Sequence, residues 1–109
     1  MNAKFHEINT FEELETLFQQ SFNAPVVLFK HSVTCPISMN VHADISEADA
    51  EINLIIVQKA RNISTEIAQK TGIRHESPQA IVLKNGKAIY HASHYDITAE
   101  DIQRVKSEE

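Results

Sequence analysis

Cys35 is the single cysteine of the chain, and it stands in the run Thr34-Cys35-Pro36-Ile37-Ser38. A lone thiol cannot staple a fold internally, so in a reducing compartment it is reactive, metal-bound or buried. Proline is favoured at the first position of a helix, which sets Cys35 at a helix N-terminus. There the first amide N–H groups are unpaired and carry roughly half a positive charge. Only thiolate attacks a disulfide, and a free thiol titrates near ~8.5. The placement therefore predicts that Cys35 is largely thiolate at pH 7, with the Thr34 and Ser38 hydroxyls close enough in sequence to donate to the sulfur. An inert buried cysteine is the competing reading, and it suits poorly a position between a strand edge and a helix-opening proline.

Six histidines raise the question of a metal. His31 and Cys35 are four residues apart, and His91 and His94 three. A zinc site needs three or four converging ligands, about the number such spacing would have to supply. No second cysteine exists, His31 precedes the helix instead of lying on it, and His91 and His94 flank a strand end. No metal is expected. His31 and His75 are the two histidines placed to tune Cys35 electrostatically. Arg61 and Arg74 can bind carboxylates of a small thiol or act as plain surface charges. The acidic residues Glu12, Glu13, Glu15, Glu47, Asp49 and Glu51 read as solvated helix faces and ends, with no paired-carboxylate site among them.

The elements that must position Cys35 follow from periodicity. With 109 residues and 42% hydrophobic composition, the chain supports one domain, residues 1–109. A formal charge of -5 gives no electrostatic basis for gripping nucleic acid or anionic lipid. The longest apolar runs, 25–29 and 54–57, fall far short of the roughly 20 residues of a membrane span, and residues 1–4 open no signal peptide. A cytoplasmic chain, monomeric, without membrane or nucleic acid partners, is expected. Thr10 and Glu13 form a capping box for a helix over 11–22. Residues 26–30 are an apolar, β-branched run that suits a central strand buried on both faces. A helix from Pro36 to about residue 50 shows one face as Ile37, Val41, Ile45 and Ala48. A second buried strand spans 52–58, and a helix marked by Ile63, Ile67 and Ala68 should end at Gly72. Strands at 80–84 and 87–91 meet at Asn85-Gly86, a strong hairpin signal. Thr98 can cap a last helix in which Ile102 and Val105 face inward, with 106–109 frayed. A weak first strand lies at 4–8.

Strands alternating with helices, then a hairpin and a closing helix, imply an α/β protein with a mixed central sheet and helices on both faces. The order resembles that of the thioredoxin-like fold, with the loop 31–34 at the C-terminal edge of the central strand, where ligands prefer to bind. The motif Thr34-Cys35-Pro36-Ile37-Ser38 looks like a thioredoxin-like active-site turn whose second cysteine is Ser38. It resembles the YtxJ family, the monothiol bacilliredoxins of the bacillithiol redox system. Phe29-Lys30-His31-Ser32, the run from Ile73 through Arg74-His75-Glu76-Ser77-Pro78 to Gln79, Asn85-Gly86, and His91-Ala92-Ser93-His94 are similar to that family too, so most of the chain from about Phe5 is covered. Compared with thioredoxins proper, the chain lacks the tryptophan before the cysteine and the glycine inside the turn, which points away from dithiol chemistry.

The resemblance implies that bacillithiol is the co-substrate, with no cofactor bound, and that the partners are S-bacillithiolated proteins, the small thiol itself and a recycling thiol or disulfide reductase. It also implies that Pro78 is the cis proline facing the active cysteine as a wall of the groove, and that Ser77 offers its backbone to an extended substrate chain. One consequence needs no family. A dithiol protein resolves its mixed disulfide internally, whereas an adduct on Cys35 must wait for an external thiol. The expected activity is therefore that of a monothiol disulfide oxidoreductase. Two other classes compete: a binding or adaptor module in which Cys35 is incidental, and a redox sensor in which Cys35 is oxidised to sulfenic acid and capped by a thiol.

Overall fold

Capping residues, one proline and one glycine set most of the element boundaries in the computed structural model, which describes residues 3–108. Helix α1 spans Phe11–Gln20, and its capping box is formed: Thr10 Oγ1 accepts the Glu13 N–H at 3.0 Å while the Glu13 carboxylate accepts the Thr10 N–H at 3.1 Å. The helix ends two residues before the expected limit, and Phe22 is left exposed in the following turn. Helix α2, Pro36–Ile45, opens at the proline as expected but stops well short of residue 50. Ser46 closes it, donating its N–H to His42 and its hydroxyl to Ala43. Ala48 and Ala50 are buried all the same, in a turn, which is why the helical pattern ran on past the helix.

Helix α3, Arg61–Thr71, ends at Gly72 in the left-handed region at φ 74°, a conformation glycine adopts without a Cβ penalty. Asn85 and Gly86, at φ 55° and 75°, make the tight turn between the antiparallel strands β4 (Gln79–Lys84) and β5 (Lys87–Ser93). β5 runs two residues further than expected and leads into a 3₁₀ turn, His94–Asp96, that periodicity did not reveal. Helix α4, Ala99–Glu108, is capped by the Thr98 hydroxyl, which accepts the Asp101 N–H at 3.1 Å. It continues through the stretch expected to fray as far as Glu108; Glu109 lies outside the described residues.

Strands β1 (Lys4–Glu7), β2 (Val26–His31) and β3 (Glu51–Ile56) are parallel, and the sheet order is β1-β3-β2-β4-β5. All six residues of β2 are buried, as a strand covered on both faces requires. Val26 and Leu28 pack with Leu14, Ile63 and Ile67 under α1 and α3; Val27 and Phe29 pack with Val41, Ile45 and Ile102 under α2 and α4. Burying each such side chain contributes about 1.5–3 kcal/mol. The last two positions of β2 are polar, Lys30 and His31, and strand alternation sends one to each face.

Candidate functional site

Cys35 is the N-cap of α2, partly exposed, with Pro36 at the first helical position and its carbonyl accepting the Met39 N–H at 3.0 Å. Its peptide therefore starts the helix, and its thiol makes no capping hydrogen bond to the first-turn amides. The expectation that Thr34 and Ser38 donate to the sulfur is replaced by another arrangement. Ser38 Oγ is buried, accepts the Ser32 N–H at 2.9 Å and shares a 2.7 Å hydrogen bond with His31 Nδ1. Thr34 Oγ1 accepts from Gln58 Nε2 at 3.2 Å. Gln58 holds the whole loop: its Nε2 also reaches Ser32 Oγ at 2.7 Å, and its Oε1 accepts the Val33 N–H at 3.3 Å. Spacing alone could not find Gln58, which lies far beyond the cysteine in sequence and reaches the loop before it, residues 32–34, only because β3 runs beside β2.

His31 sits in a layer of rings. It stacks on Phe29 at 5.7 Å and lies 4.7 Å from His42 of α2, which in turn stacks on Phe5 at 4.5 Å. Burial lowers the pKa of both histidines, and for His31 the neighbouring His42 lowers it further. At neutral pH both rings are uncharged. His75 is elsewhere, on the loop between α3 and β4, where its Nδ1 accepts from Lys30 Nζ at 3.1 Å. Its pKa is lowered by burial, then by the Lys30 and Arg61 cations, against an opposing pull from Glu76. His31 and His75 are thus neutral rings at pH 7, not imidazolium cations, and their hydrogen bonds go to Ser38 and Lys30.

The Ser77–Pro78 peptide is cis. Pro78 directly precedes Gln79, the Cα partner of Lys30, so this bond and the end of β2 share one edge of the sheet. The Pro78 carbonyl accepts the His94 N–H at 3.0 Å, which fixes the 3₁₀ turn against the same edge, with His94 at φ 56°. Arg74 and Glu76 are on this loop too, and Glu76 has a lowered pKa, first through a hydrogen bond from Ser93 and then through nearby His94, Arg74 and His91. Val33, Met39 and Tyr95 are exposed apolar side chains on the loop, helix and turn around Cys35. Among the described residues no three His, Cys, Asp or Glu side chains gather as metal ligands, and no helix is long and apolar enough to cross a membrane.

Among solved structures, a protein described as a candidate oxidoreductase with a thioredoxin fold is 32% identical, with TM-score 0.83 over 96% of this chain and 94% of that one. The thioredoxin of Malassezia sympodialis is 14% identical at TM-score 0.72, covering 99% and 91% of the two chains. That of Schistosoma mansoni is 20% identical at TM-score 0.70, covering 96% and 94%. The last two likenesses speak for the fold alone. Thioredoxin fold and a single cysteine at the N-cap of α2 define the class, a thiol oxidoreductase with one thiol. Residues 6–102 match the family described as monothiol bacilliredoxin BrxC, and the chain belongs to that family.

Proposed function

We propose that the protein removes bacillithiol from S-bacillithiolated client proteins through a mixed disulfide on Cys35, in the reducing cytoplasm and as a monomer. The observation that carries this reading is the chemistry of the active turn. The only thiol of the chain is at the N-cap of α2, and the position that would resolve its disulfide internally holds Ser38. Cys35 thiolate attacks the bacillithiol sulfur of the client disulfide. A new disulfide forms between Cys35 and bacillithiol, and the client cysteine leaves as thiolate and takes up a proton. The number of disulfides is unchanged, so no external oxidant or reductant enters this step. A second thiol or a disulfide reductase then attacks the adduct and returns Cys35. Exposed Val33, Met39 and Tyr95 offer apolar contact to the client, and the Ser77 backbone, outside the ladder that begins at Gln79, offers hydrogen bonds to an extended chain.

The test is intact-mass spectrometry after mixing a bacillithiolated client, or a glutathionylated control, with the reduced protein and with Cys35→Ser. Transfer of one bacillithiol to the wild type alone, with little transfer from the control, is the expected result. If neither adduct moves while Cys35 remains alkylatable, the chain is a binding module or a sensor instead.

A further inference from the structure

We propose that Lys30 and Gln79 are positioning residues for client binding, a buried cross-strand pair that latches the segment leading into Ser77 and Pro78. The proposal rests on the reading of that segment as the client groove. Lys30 and Gln79 are Cα partners across β2 and β4, with 0% and 1% of their surface exposed. Lys30 Nζ donates to the Ser64 carbonyl of α3 at 3.2 Å and to His75 Nδ1 at 3.1 Å. Gln79 Nε2 donates to the Arg74 carbonyl at 2.9 Å. Two consecutive loop residues, Arg74 and His75, are thereby held from beneath by two neighbouring side chains, and α3 is tied in by the same ammonium.

The arrangement is expensive where an apolar one would be simple. Leu28 precedes Lys30 on the same face, and a Met or Leu at position 30 would fill the layer without desolvating a cation. Three more buried side-chain atoms at the latch, Ser64 Oγ, Ser77 Oγ and Gln79 Oε1, have no hydrogen-bond partner. Among the described residues the buried polar side chains are Ser21, Lys30, His31, Ser38, Ser64 and Gln79. All but Ser21 gather at the sheet edge that carries Cys35 and Pro78, whereas Ser21 bonds to the β4–β5 turn at the opposite end. A core that keeps its polar groups at one edge is spending stability on the geometry of that edge. Lysine suits this place because three N–H donors on a long stem can reach helix and loop at once.

The test combines amide hydrogen exchange with kinetics on two substrates, a bacillithiolated peptide and hydroxyethyl disulfide, which is too small to need the groove. Lys30→Met should speed exchange of the hydrogen-bonded amides at the root of the loop, Gly72 and Ile73, which donate to the Ala68 carbonyl and Thr71 Oγ1, by about tenfold or more while the α2 amides keep their protection. Its KM for the peptide should rise, and the loss on the peptide should exceed the loss on hydroxyethyl disulfide by about tenfold. His75→Ala, at an exposed position that leaves no cavity, removes the acceptor and should show the same pattern in milder form, even if Lys30→Met does not fold. Unchanged loop protection in a folded variant, or equal losses on the two substrates, would overturn the latch. A wild-type protein that ignores the peptide disulfide while Cys35 is still alkylated overturns the bacillithiol reading instead, and amide protection then decides the latch by itself.

Discussion

Ser38 occupies the place from which a second thiol would resolve the adduct, and its side chain has been given other work. Its hydroxyl oxygen takes the Ser32 N–H and meets His31 Nδ1 in a buried position. Ser38→Ala leaves both groups without that partner, and each buried, unpaired polar group costs about 1–3 kcal/mol. A fall of that size in urea-denaturation stability is expected, and a fall below about 0.5 kcal/mol would show that the contact is dispensable. Ser38→Cys restores a resolving thiol on the first turn of α2, so the Cys35 adduct should decay to an internal disulfide, seen by mass as release of the small thiol. An adduct as durable as that of the wild type would mean the two side chains do not meet. The sequence made Cys35, Pro36 and the missing second thiol legible, because these depend on neighbours in the chain. The link from Ser38 back to His31 was not legible: it crosses a strand end, a loop and a helix start, and no local periodicity encodes it.

Helix α2 is joined to the sheet by rings as well as by aliphatic packing. Phe5 of β1, Phe29 and His31 of β2 and His42 of α2 form one layer beneath the turn that carries Cys35. Burial lowers the pKa of His31 and His42 below the usual 6.5. The unfolded chain therefore binds protons more readily than the folded one as pH falls. The contribution of this pair is fully present above about pH 6.5 and is lost as pH falls through the lowered folded values. His42→Phe keeps a ring against Phe5 and removes one of the two titrations. Its thermal midpoint should fall less than that of the wild type as pH drops below 6.5, and parallel falls would place the acid sensitivity outside this layer. Spacing revealed α2 and its apolar face but overran its end. Ala48 and Ala50 are buried from a turn, and burial alone cannot distinguish a helix from a turn closed by Ser46.

Across the whole molecule, stability and site geometry pull in different directions at Lys30. Apolar periodicity drew the sheet and its two helical layers correctly because burial on both faces of β2 leaves few alternatives, and it passed over the lysine at the end of that strand. Desolvation lowers the Lys30 pKa from 10.5 to about 8. The folded state thus disfavours the ammonium, and between pH 8 and 10.5 the unfolded chain holds more protons than the folded one. Stability from this residue is lowest below pH 8 and rises as pH climbs through that window. Lys30→Met removes the buried charge and should be more stable than the wild type at pH 7, by on the order of 1–3 kcal/mol after the lost hydrogen bonds are set against it. The gap should close as pH rises toward 10.5, when the wild type no longer buries a cation. Chemical denaturation at pH 7 and at pH 10 reads both ends of the window. A variant less stable at pH 7, or a gap independent of pH, would mean that Lys30 serves the core. A more stable protein with a looser loop would mean that the edge is built for its client.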